Sequence, residues 1–179
     1  MNRLDYTALR RLRQHHALEH ATVHLLSRRA PVRLVGRSDL GGFWLYGKVS
    51  THDVAEAAAE ALARLRGGER ALAVHPRCGT NLAVATVLSG VAAMSAASMP
   101  TKSRAIRLGT FFLAMTGIAG LAGPLGMLTQ QHVTTTADID GLTIAEIHRR
   151  QLGRLTIHRV LIAPADEISR EEYVIPVSR

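Results

Sequence analysis

The residues best suited to chemistry lie close together near the start of the chain, in His15-His16-Ala17-Leu18-Glu19-His20-Ala21-Thr22-Val23-His24. On a helix, at about 100° per residue, His16, His20 and His24 fall on one ridge with Glu19 beside them. Imidazoles at i and i+4 have Cβ atoms roughly 5–6 Å apart, within reach of one metal ion. A metal site is the first expectation, with His16 and His20 as ligands and His24 as a further candidate. Leu9, Leu12 and Val23 project within a turn's width of the histidines, whereas Leu18, Ala21 and Leu25 project to the other side. A helix apolar all round is covered all round. Its imidazoles and carboxylate must then be paired to each other, to a metal or to a proton network, because burying them alone costs kilocalories per group. The alternative is a set of hydrogen-bonded core histidines with a solvated His15.

A second stretch, His75-Pro76-Arg77-Cys78-Gly79-Thr80-Asn81, sets a histidine and a cysteine three residues apart, and both ligand types suit zinc. Standing alone it would read as a turn with a small buried cysteine. Beside the first cluster it supplies His75 and Cys78 as the remaining ligands, and His132 is one more candidate. Glu56 and Glu60 also stand at i and i+4, but a solvated helix face accounts for them. His52, His148 and His158 occur singly and are read as ordinary.

These side chains need elements to hold them. The spacing predicts a helix from about Leu4 or Asp5 to Arg29, stopped by Pro31. Two short strands, Val32 to Val35 and Gly42 to Val49, follow around a turn at Arg37 to Gly41. Ser50 with Asp53 opens an alanine-rich helix that runs through Arg66 to Gly67-Gly68, its apolar stripe being Val54, Ala58, Leu62 and Leu65. A short strand is expected at Ala71 to Val74. Charge then vanishes from Asn81 to Met99 and from Leu108 to Gln131, two runs near the roughly 20 residues that span a bilayer. Small residues in them, Ala85, Ser89, Ala93 and Ala97, then Gly117, Gly120 and Gly123, are expected where the two helices touch. The short link from Pro100 to Arg107 forces an antiparallel hairpin, bringing His75 to Thr80 and Gln131 to Thr136 to one interface. Gly141 to His148 and Leu155 to Ile162 read as two further strands able to extend the first sheet, and the acidic tail has no readable role.

The predicted class is therefore α+β: a His-rich helix with a small β-β-α unit (1–80), a two-helix transmembrane hairpin (81–131), and a C-terminal β-hairpin and tail (132–179). The chain's 22 Lys and Arg against 14 Asp and Glu give a net charge of +8. An anionic membrane surface explains that excess, whereas 4% aromatic residues do not furnish base-stacking platforms, so no nucleic acid is expected. The single cysteine excludes an internal disulfide framework. No apolar stretch follows the early arginines as a secretory signal requires, which leaves the globular part in the cytosol of a multi-pass inner-membrane protein. The cations of the Lys102 to Arg107 link and those at Arg64, Arg66, Arg70 and Arg77 pull the orientation in opposite senses. A homo-oligomer stays open.

His16-Ala-Leu-Glu19-His20, His75-Pro-Arg-Cys78-Gly-Thr, an apolar hairpin, and then Gln131 with Thr134-Thr135 together resemble the bacterial YqhQ-type membrane proteins and their relatives, families of unknown function described as metal-dependent. The resemblance covers about three quarters of the chain, the His-Pro-Arg-Cys-Gly-Thr run being its specific part; the alanine-rich stretch before His75 and the C-terminal strands fit less well. It implies a membrane location and a metal site at His16, Glu19, His20, His75 and Cys78, but no substrate. Two functions follow. In a zinc-type hydrolase, His16 and His20 hold the divalent cation with His75 or His24, and Glu19 is the catalytic base, as in His-x-x-Glu-His proteases. In a membrane scaffold or accessory protein, His16, His20, His75 and Cys78 close a structural tetrahedron and Glu19 only orients an imidazole.

Overall fold

The computed structural model describes residues 3–76 and 78–168; Arg77, Glu171 and Glu172 lie outside them. The chain forms two units, one from the segments up to Val74 and from Thr135 onward, the other from His75–Thr134.

Unit 1 is built on helix α1 (Arg3–Arg29). From Gln14 to Leu26 every residue except His16 and His24 is buried, as a helix apolar all round requires. His15, which the alternative reading leaves in solvent, is 1% exposed and its Nδ1 lies 2.7 Å from the Asp39 carbonyl. Helix α2 (Thr51–Arg66) begins at Ser50, whose hydroxyl accepts from Asp53 N, and its stripe of Val54, Ala58, Leu62 and Leu65 is buried. Its charged face is solvated: Arg29 reaches Glu56 at 3.1 Å and Glu60 at 2.7 Å.

Four antiparallel strands, β1 (Val35–Asp39), β2 (Gly42–Tyr46), β3 (Leu142–Leu152) and β4 (Leu155–Pro164), form one sheet in the order β1-β2-β4-β3. Phe43 and Leu45 of β2 and Val160 and Ile162 of β4 enter the core, so period-2 alternation puts Trp44 and Arg159 on the opposite face. There Arg159 stacks 4.7 Å over the Trp44 ring. The C-terminal hairpin does extend the first sheet, through β2 and β4.

Two local expectations need correction. The first strand begins at Val35, not Val32, and runs through Arg37 and Ser38 to Asp39. The polar sequence concealed it because Asp39 works as a hub, its carboxylate accepting from Gly41 N, Trp44 Nε1 and Arg159. The strand expected at Ala71 to Val74 is a 3-10 turn, Arg70–Ala73, whose Leu72 and Ala73 are buried.

His158 is also more than an ordinary strand residue. It is fully buried, with Nε2 3.2 Å from the Thr51 hydroxyl and, among the described residues, no hydrogen-bond partner for Nδ1. Burial, with Arg149 adding to it, holds its pKa below the ordinary 6.5. The unfolded chain therefore takes up a proton first, and stability falls as pH drops through about 6.5. A His158→Gln protein, compared with the parent by urea unfolding at pH 7.5 and 5.5, is expected to show a smaller acid loss. An equal loss would show that His158 contributes nothing to it.

Unit 2 is a helical hairpin of α3 (Gly79–Ala97) and α4 (Arg104–Thr129), the latter continuing into a π-helical turn, Gln130–Thr134. Both helices are long and apolar enough to cross a membrane, and almost none of either apolar stretch is buried. At the open end Gln130 is fully buried: it accepts from His75 N at 2.9 Å and donates to Asn81 at 2.6 Å. The hairpin thus brings its two ends together as expected. The small-residue seam differs in phase. A Cβ on Gly117, Gly120 or Gly123 would meet nothing within 4 Å, whereas one on Gly126 would strike Asn81. At about 100° per residue, Gly117 lies half a revolution away from Gly126. On α3, Ala85 and Ser89 are half-buried and Ala96 is buried, but Ala93 and Ala97 are exposed.

A short helix α5 (Ala165–Ile168) closes the described chain.

Candidate metal centre

The His16 and His20 rings meet edge to face, with centroids 4.3 Å apart and planes at 61°. One nitrogen from each lies within 4.8 Å of the other. His20 is 3% exposed, and its Nδ1 sits 2.9 Å from the Ala73 carbonyl. A carbonyl can only accept, so Nδ1 carries the proton and Nε2 the lone pair. A backbone carbonyl fixing one ring nitrogen so that the other can ligate is the usual support of a metal-binding histidine. The 3-10 turn, buried through Leu72 and Ala73, places that carbonyl.

Glu19 lies between the two histidines in sequence and is 6% exposed. Its carboxyl rests against Gly36 of β1, where any Cβ would overlap it. Burial pushes the carboxyl up to about 7, opposed by His16. Among the described residues no hydrogen bond joins Glu19 to an imidazole. His24, one turn beyond His20, is half-buried, and burial followed by Arg28 and Arg64 lowers its pKa.

In unit 2, His75 and Cys78 are both half-buried in one turn, Cys78 N donating to the His75 carbonyl at 3.1 Å. Cys78 is the N-cap of α3, and its sulfur accepts from Thr80 N at 3.4 Å. His132 is exposed on the π-helical turn.

Sequence reasoning missed Gly36, the Ala73 carbonyl and the hydrogen-bonded pair of half-buried Asn81 and buried Gln130. A glycine inside a strand signals close approach of another group, so Gly36 carried a readable cue. Gln130, an amide ending an apolar run, carried another. No side-chain pattern marks the Ala73 carbonyl.

Helix α1 also holds both points where unit 1 continues into the hairpin. Ala73 is tied to His20. Thr135 accepts from Arg13 at 3.0 Å, Thr136 N donates to the Arg13 carbonyl at 3.2 Å, and Arg10 pairs with Asp138 at 2.7 Å.

An α+β unit with an antiparallel sheet, an edge-to-face histidine pair of which His20 is buried, and a hairpin able to span a membrane defines the class of protein. Residues 11–147 match the family described as Domain of unknown function (DUF6391), and the chain belongs to that family. An uncharacterised protein of Picosynechococcus sp. (strain PCC 7002) is 38% identical over 146 residues, covering 76% of this chain and 71% of the relative. No solved structure matches. These matches support the coarser part of the resemblance, an uncharacterised family, and name neither the YqhQ type nor a metal.

Proposed function

We propose that this chain is a membrane-anchored, metal-dependent hydrolase of zinc type, with His16 and His20 as ligands and Glu19 as base. The carrying observation is Glu19: a buried carboxyl beside a histidine pair, packed against glycine and, among the described residues, not hydrogen-bonded to an imidazole. A group retained only to orient a ligand would make that bond. Ala73, anchored on His20, precedes His75 by two residues and Cys78 by five. Nitrogen and thiolate donors fit zinc, which would supply Lewis acidity and lower the pKa of water. Glu19 accepts the proton of the attacking water and returns it to the leaving group. The lipid bilayer is the partner in this reading, through α3 and α4, and His24 and His132 are reserve donors.

The low exposure of Glu19 favours a second reading, a scaffold whose four ligands close the site. Cobalt substitution separates the two. For the hydrolase, the visible spectrum of the cobalt protein shifts with pH near neutrality and Glu19→Gln changes that titration while retaining one metal per chain. A pH-independent spectrum, unchanged in Glu19→Gln, would sink the hydrolase and leave the scaffold.

A further inference from the structure

We propose that unit 1 carries a second site, independent of the metal reading, for a phosphate group attached to a small apolar body. A cavity of about 460 Å³ opens where the end of α1, the link into α2 and the turn-side ends of β3 and β4 meet. That volume falls in the range of about 300–1,000 Å³ typical of small-molecule sites. Leu26, Val32 and Val49 give it an apolar lining, while Arg29, Lys48 and Arg149 bring three cations against one carboxylate, Asp53.

The state of those charges selects the ligand. Arg29 is engaged by Glu56 and Glu60. Asp53 is held in the α2 cap, accepting from the Ser50 hydroxyl at 2.6 Å. Lys48 and Arg149, both solvent-exposed, form no ion pair among the described residues and line one cavity, where they outnumber the single capped carboxylate of Asp53. The positive end of α2, a 16-residue helix, lies at the same place through Ser50. Two cations suit a dianion better than a carboxylate, the α2 N-terminus partly offsetting Asp53 there, and the apolar lining suits a carbon body attached to it. A lipid phosphate and a soluble phosphomonoester share this chemistry.

Isothermal titration of the full chain in uncharged detergent separates them, using dihexanoyl phosphatidic acid below its micelle concentration, glycerol 3-phosphate and inorganic phosphate. At least one organic phosphate is expected to bind, and Lys48→Ala with Arg149→Ala to weaken it about tenfold or more. Lys48→Arg with Arg149→Lys should restore most of the binding. Arg150→Ala, whose strand position faces the other side of the sheet opposite Ile157, should leave it unchanged. Binding of the lipid probe alone assigns a membrane ligand; equal binding of glycerol 3-phosphate assigns a soluble one. The proposal fails if no organic phosphate binds, if the double alanine variant binds as the parent does, if Arg150→Ala weakens binding equally, or if a chelator abolishes it and so places phosphate on a metal.

Discussion

A His20→Ala protein stripped of metal by chelation is expected to be about 3 kcal/mol less stable than the equally stripped parent, whereas His16→Ala costs about 1 kcal/mol or less. The two residues stand one turn apart and are proposed to ligate the same cation, so metal binding alone would make them alike. Burial makes them differ. His20 is 3% exposed and satisfies the buried Ala73 carbonyl; truncation leaves both a cavity and an unpaired acceptor. His16 is only half-buried, so water fills the space its ring vacates. A His20→Asn variant refines the test, because its amide N–H stands near the position of Nδ1. It should recover about 1 kcal/mol of the loss while still failing to hold zinc, since nothing replaces Nε2. Urea unfolding of chelated samples, with zinc content measured on untreated ones, reads both effects. Equal losses for His16→Ala and His20→Ala would show that the Ala73 contact carries no stability.

The contrast between these neighbours marks what the sequence could and could not reveal. Helical spacing was enough to place His16, Glu19 and His20 together, because i, i+3 and i+4 relations are local and the helix is regular. Capping chemistry likewise located α2 at Ser50, and alternation located both strands of the C-terminal hairpin. Asp39 shows where local patterns fail. In sequence it is a turn residue between Ser38 and Leu40; in the fold its carboxylate gathers Trp44 and Arg159 while its carbonyl receives His15. Those partners lie up to 120 residues away. The same applies to the hairpin, where composition identified the helices but not the face on which Gly126 meets Asn81. That phase depends on the anchoring bonds of Gln130, which no count of small residues contains.

Gly36→Ala is expected to cost about 2 kcal/mol in the parent and well under 1 kcal/mol in a Glu19→Ala background. Gly36 has no positive φ, so alanine fits its backbone and the penalty must come from space. A Cβ there would overlap the Glu19 carboxyl, which is 6% exposed and has little room to swing away. Removing that carboxyl opens the room the new methyl needs. A coupling of at least about 1 kcal/mol in the double-mutant cycle would therefore establish that β1 positions Glu19 by contact. The cycle also bears on chemistry. If Glu19 is the base, Gly36→Ala should keep the metal and disturb the pH-dependent cobalt spectrum as Glu19→Gln does, because both alter the same carboxyl without touching an imidazole. If the cost of Gly36→Ala is the same with and without the Glu19 side chain, the strand does not hold the carboxyl, and the positioned-base reading loses its structural footing.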